Sequence, residues 1–163
     1  MKHLFSPWRM KYIQADKMSN GCVFCKALQE EDGPDNLIVA RGEHSFVILN
    51  RFPYTSGHLM VLPYKHVTHL VDIDAVTRAE MMEFCTKATT VLGEVYRAQG
   101  YNLGANLGAA AGAGIEYHLH LHVVPRWNGD TNFMTAVGEI RVLPQSLEES
   151  FEKIKSVWDR TDS

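Results

Sequence analysis

The sequence predicts an α+β fold: an antiparallel sheet of about five strands, one long helix packed against it, and a shorter C-terminal helix. Three observations carry this expectation. Short β-rich runs recur three times before residue 65 and twice after residue 100. One long stretch of helical periodicity separates the two groups. A closing stretch from about Gln145 to Trp158 is amphipathic at helical spacing. The order β, β, β, helix, β, β reads as a meander with the helix laid on one sheet face. At 163 residues the chain suits one domain with a real core. Residues 1–163 are therefore read as a single domain, with an N-terminal arm over 1–20 and a C-terminal extension over 135–163.

The arm is irregular, and its Trp8, Met10, Tyr12 and Ile13 can pack onto the body. A short helix is expected from about Val23 to Glu30, and "EDGPDN" breaks it. "NLIVARG" and "HSFVILN" follow closely enough to form a hairpin, and "RFPYTSG" loops into a third strand, "HLMVLPY". In the long helix Asp74 is the expected cap. Met81, Phe84, Cys85, Ala88, Val91, Leu92 and Val95 form its apolar stripe, and Gly100 is the expected terminator. "YNLGANLG" is the fourth strand, a Gly/Ala-rich turn follows, and "EYHLHLHVVPRW" is the fifth. Beyond Trp127 come a polar loop, "NGDTN", a short strand, "EIRVL", and the last helix.

Composition narrows the function. Apolar residues at 45% and charged residues at 21% are ordinary for a globular chain. A formal net charge of -3 argues against a broad basic surface for nucleic acid. No apolar run approaches the roughly 18 residues that span a bilayer. "MKHLFSPWRMKYIQ" carries charges and a proline where a signal peptide needs an apolar segment. A cytoplasmic protein without membrane or nucleic-acid partners is expected. Three cysteines do not make a disulfide framework, and Cys85 reads as a small buried hydrophobe.

The fifth strand carries the chemistry. His118, His120 and His122 alternate with Leu119, Leu121 and Val123, which puts three imidazoles on one strand face. A merely solvated face would be an odd accident without another polar residue in the row. One metal explains two of the rings at most, since residues i and i+4 of a strand lie about 13 Å apart. A line of rings some 6–7 Å apart matches an extended anion such as an oligophosphate. Histidine titrates near neutrality, so one ring can attack while another donates. His120, with a ring on each side, is the natural nucleophile.

"HLHLHVVPRW" resembles the H-x-H-x-H signature of the histidine triad (HIT) superfamily of nucleotide hydrolases and transferases. "SFVILNRFPYTSGHLMVLPYKH" is similar to the family's strand–loop–strand with its G-H-x-x-V-x-P segment. The resemblance is closest to the Fhit-like branch, and "RWNGDTNF" resembles bacterial diadenosine tetraphosphate phosphorylases. It implies the HIT fold and a homodimer with its sheets continuing across the two-fold. It implies an enzyme that cleaves dinucleoside polyphosphates, or related nucleotides, at the α-phosphate. His120 would be the nucleophile that forms a nucleotidyl-histidine, His122 would lie beside the phosphates, and His58 would support by hydrogen bonding near His120. Asn50 would take the ribose hydroxyls, and apolar residues near Phe46 and Ile48 would flank the base. Where many members place Gly-Gln and a Ser or Thr before the triad, this chain has "GAAAGAGIEYH". Backbone N–H groups of that turn, Gly114 among them, can bind phosphate instead. Whether water or inorganic phosphate accepts the nucleotide stays open. The rival class is a nucleotide-binding regulatory module with little turnover, which has less need of the middle histidine.

Cys22 and Cys25 form a C-x-x-C, which alone is two ordinary cysteines, a redox pair or half of a metal site. Zinc takes four ligands, and His66 and His118 complete a set resembling the structural zinc site of some HIT proteins. His69 is the rival to His66. Such a site would clamp the N-terminal segment onto the sheet without entering the reaction. Arg126, just beyond the triad, is either a phosphate contact or a structural pair.

Overall fold

Five strands form one antiparallel sheet in the order β1-β2-β3-β5-β4. They are β1 (Ile38–Arg41), β2 (Ser45–Leu49), β3 (Leu59–Pro63), β4 (Gly100–Gly104) and β5 (Leu121–Arg126). The computed structural model describes residues 21–130 and 145–161. The N-terminal arm and the strand expected in "EIRVL" lie outside the described residues. The first three strands run as the expected meander. The last two do not simply continue it: the long helix carries the chain across, β4 takes the outer edge, and β5 returns between β4 and β3. The histidine-bearing strand is therefore internal.

Helix α1 (Val23–Ala27) is shorter than expected. The buried Asn36 explains why, because its Nδ2 donates to the Ala27 carbonyl at 3.1 Å while its Oδ1 accepts from Ile38 N at 3.0 Å. Beyond Ala27 the backbone tightens into i→i+3 turns, and α1 is tied to β1.

Helix α2 (Ala75–Tyr96) begins where the sequence places it, with the Asp74 carboxylate accepting from Thr77 N at 2.7 Å. Met81, Cys85, Ala88, Val91 and Leu92 form its buried stripe. They join Val47, Leu59, Val61 and Val123 in one core, so strand alternation leaves His122 on the opposite face. The helix does not reach Gly100. Arg97 closes it in the left-handed region at φ 52, and Gly100 opens β4. Sheet pairing claims the backbone there, with Gln99 N–H donating to the Arg126 carbonyl at 2.9 Å.

Glu80 of α2 reaches the β1–β2 turn and accepts from Ser45 N at 2.8 Å, Ser45 Oγ at 2.6 Å and His44 N at 3.0 Å. A Cβ on Gly42 would fall 2.4 Å from Glu80 Oε1 and 2.8 Å from the Phe84 ring. Glycine lets the turn sit that close. Helix α3 (Leu147–Arg160) starts on a capping box of Ser146 and Glu149. It buries Phe151, Ile154 and Trp158, with Trp158 against Phe84 at 5.9 Å.

Candidate active site and metal centre

The ladder of β5 starts at Leu121, so His122 is the triad member inside a regular strand. His118 and His120 precede it outside the ladder, with His118 at a bend, which corrects the expectation of one strand bearing all three. The partner strand ends at Pro63, which has no N–H to offer, and Leu119 N–H instead donates to the Val67 carbonyl at 2.7 Å. The row of rings survives the loss of the ladder. Phe24 touches the His118 and His120 rings at 5.6 Å each, and His120 meets His122 edge to face at 4.8 Å.

His118 is fully buried. Its Nε2 donates to the Pro63 carbonyl at 2.9 Å, which leaves the Nδ1 lone pair pointing at sulfur. That Nδ1 lies 3.3 Å from Cys22 Sγ and 3.7 Å from Cys25 Sγ, and His66 Nδ1 lies 3.3 Å from Cys25 Sγ. The four ligand atoms all fall within 4.8 Å of one another. A tetrahedral ion with bonds of about 2.0–2.3 Å places its sulfur and nitrogen ligands about 3.5 Å apart. The set fits a metal ion. Cys22 caps α1 and Cys25 sits in its first turn, so i, i+3 spacing puts both sulfurs on one side. His66, not His69, joins the group. Burial, then the bond and charge of Cys22, push the Cys25 thiol up to about 11. A divalent ion offsets the cost of that thiolate pair.

His120 is buried, and its Nδ1 donates to the His118 carbonyl at 2.8 Å. The proton is thus assigned to Nδ1, and the lone pair to Nε2. Burial lowers its affinity for a second proton below the usual histidine range, outweighing the bond to the His118 carbonyl. The ring is neutral at neutral pH.

His58 is fully buried. Its Nε2 lies 2.9 Å from His122 Nδ1, so its partner is the third triad histidine, one step beyond the His120 neighbourhood expected. Asn50 turns toward His58, with Nδ2 3.3 Å from His58 Nδ1 and Oδ1 accepting from Phe52 N at 2.9 Å. Ile48 pairs with Met60, which pairs with His122, so Ile48 and Met60 share the His122 face. Phe46 is wholly enclosed and stacks on Tyr64 at 5.6 Å, which corrects its expected place beside a base to one in the core. In the Gly/Ala-rich turn, the N–H groups of Ala111, Gly112 and Ala113 close the turn on Gly108 and Ala109. Gly114 lies half-buried just beyond. Arg126 is held by Asp130, at 2.5 and 2.8 Å, and by Asn102 at 2.7 Å, a structural pairing.

Sequence reasoning missed Tyr54, whose ring lies 4.6 Å from that of His58 and 5.9 Å from that of His122. It also missed Phe24 under the triad. Both sit in turn or helix segments where no periodicity singles them out.

The fold and this histidine constellation define a class, and the chain belongs to the HIT domain family, whose model matches residues 32–129. Among curated relatives, the AP-4-A phosphorylase of Mycobacterium tuberculosis (strain ATCC 25618 / H37Rv) is 39% identical over 170 residues, covering 98% of this chain and 86% of its own. A Zn-bound histidine triad family protein from Mycobacterium smegmatis superposes with a TM-score of 0.70 at 32% identity, over 90% of this chain and 97% of that one. Diadenosine triphosphate hydrolase of Plasmodium falciparum, at 16% identity and a TM-score of 0.62 over 86% and 97% of the two chains, shares the fold.

Proposed function

We propose that the protein is a nucleotidyl transferase that splits dinucleoside polyphosphates of the diadenosine tetraphosphate type and passes the nucleotidyl group to inorganic phosphate. The observation that carries this reading is the bond from His120 Nδ1 to the His118 carbonyl, because it leaves Nε2 neutral and directed for attack. In the first step Nε2 bonds the α-phosphorus while the bond to the bridging oxygen breaks, releasing ATP from diadenosine tetraphosphate. In the second, an oxygen of inorganic phosphate attacks the nucleotidyl-histidine, the P–N bond breaks, and ADP leaves. His122 stands beside the phosphates, with Gly114 as a backbone donor. Ile48 flanks the base, and Asn50 keeps an amide of the right chemistry for a ribose diol.

The 39% identical AP-4-A phosphorylase supports phosphate as the acceptor. The test is incubation with diadenosine tetraphosphate with and without phosphate. ADP and ATP are expected with it, and AMP as the sole partner product at millimolar phosphate makes the protein a hydrolase.

The metal of the Cys22, Cys25, His66, His118 group is zinc on this reading. The donor set suits it, and the Zn-bound mycobacterial relative supports it. When bound it supplies structure: it holds α1 and the residue whose carbonyl orients His120. The protein acts as a homodimer joined at β4, the sheet edge, where Leu103 is 52% exposed.

A further inference from the structure

The loop over 50–58 meets the start of α3 across a cavity of about 20 Å³. Pro53, Ser56 and Gly57 line it on the loop side, and Gln145 and Ser150 line it on the other. Ser56 Oγ and Gln145 Oε1 are buried and have no hydrogen-bond partner among the described residues. The one further buried side-chain atom of that kind among those residues is the Tyr96 hydroxyl, and it belongs to the same place. The Tyr96 ring rests on Gly57, where a Cβ would fall 2.6 Å from Cε2. Its hydroxyl approaches Ser150 without a hydrogen bond of normal geometry.

Buried polar groups are nearly always paired. Three unpaired atoms, from a loop, the end of α2 and the start of α3, converge here and need a shared partner. Size and chemistry both select it. A cavity of about 10–15 Å³ suffices for one water molecule, and a buried water makes about three hydrogen bonds. Gln145 Oε1 can only accept, whereas each hydroxyl both donates and accepts. One water can donate to Gln145 Oε1 and to one hydroxyl oxygen while it accepts from the other hydroxyl.

We propose that this cavity is a binding site for a single water molecule, which joins Ser56, Tyr96 and Gln145 and so pins the loop carrying Asn50 and His58 to α2 and α3. Ser56 and Gly57 immediately precede His58, whose backbone closes the loop. Asn50 N–H donates to the His58 carbonyl at 2.8 Å, and His58 N–H to the Thr55 carbonyl at 3.2 Å. Gly57 adopts φ 79, and its missing side chain lets Tyr96 come this close. The C-terminal helix thereby positions the candidate site without touching it. The water site does not depend on which reaction that site performs.

A crystal structure of the full chain reads the site directly. Density for one water should lie about 2.5–3.0 Å from Ser56 Oγ, Tyr96 Oη and Gln145 Oε1. A dry cavity, or Ser56 bonded straight to Gln145, overturns the proposal. In solution, Ser56→Ala and Tyr96→Phe each remove one partner and leave the packing nearly intact. Each should lower the urea midpoint, and the double variant should lose less than the sum, because both lose the same water. Additive losses count against the site.

Amide hydrogen exchange under native conditions separates positioning from general stability. In Tyr96→Phe the Asn50 and His58 amides should exchange roughly three- to tenfold faster, the population shift of one lost hydrogen bond. The Ser45 amide, held by Glu80, should keep its native rate. Equal acceleration at Ser45, or unchanged rates at Asn50 and His58, would show that the loop does not lean on this cavity.

Discussion

His118 and His122 end the same short segment, yet their surroundings assign them opposite work. At His118 a carbonyl takes the Nε2 proton, so the Nδ1 lone pair is turned to two sulfurs. At His122 another imidazole, that of His58, occupies Nδ1. Between them, His120 has its Nδ1 claimed by the His118 carbonyl. The three side chains are chemically identical. What separates the three is which ring nitrogen the neighbouring group occupies, and on the proposed reading that is what makes one a metal ligand and another a nucleophile.

Substitutions should split the two ends cleanly. The largest effect is expected at the shared centre. His120→Asn keeps a polar group of similar reach, so nucleotide binding measured by calorimetry should persist. Turnover should fall by at least about 10²–10⁴-fold, the usual cost of losing one proton-transfer group, since a covalent route is lost here. Turnover within tenfold of native would remove His120 from the role.

The metal end should answer in stability. Protein purified without added zinc should contain about one zinc per chain, as a closed structural site requires. Cys22→Ser should lower that content and the melting temperature together. A loss of a few kcal/mol corresponds to about 10 °C in a chain of this size. His122→Asn, at the other end, should leave the metal content unchanged. Metal-free native protein indifferent to chelators would abolish the contrast.

Glu80 offers a control remote from both ends. Burial raises its pKa, but bonds from the Ser45 side chain and from the His44, Ser45 and Glu43 backbone outweigh it and hold the carboxyl below the usual range. A depressed folded pKa stabilises fully above the unfolded value of 4.5 and is lost as pH falls through the folded value. Glu80→Gln should cost about 1.5–3 kcal/mol at neutral pH, measured by urea unfolding, and the difference from native should shrink in acid. Metal content should not change. An equal cost at all pH values would mean that the charge is not what holds the turn.

Much of this was legible in sequence because it depends on local periodicity and local chemistry. Asp74 could be named as a cap, the α2 stripe could be counted, and the five strands follow from β-rich runs bounded by turns. The C-x-x-C and the spaced histidines announced themselves by residue type. The misreadings fall where distant groups decide. Gly100 looks like a helix terminator, but pairing between Gln99 and Arg126 ends the helix's claim earlier. Phe46 alternates onto the site face, yet Tyr64 and the surrounding core enclose it.

By itself, then, the sequence determined the α+β class, the order of elements, the row of three histidines and the C-x-x-C. These rest on side-chain type and on repeats of two or 3.6 residues. Only the tertiary structure decided that β5 lies between β3 and β4, that His66 rather than His69 faces the cysteines, and that Arg126 is locked to Asp130. It alone decided where the His118 and His120 ring protons reside. A tautomer is set by the partners of the ring nitrogens, and those partners, the Pro63 and His118 carbonyls, are placed by the chain's fold and are backbone groups that carry no mark in the sequence.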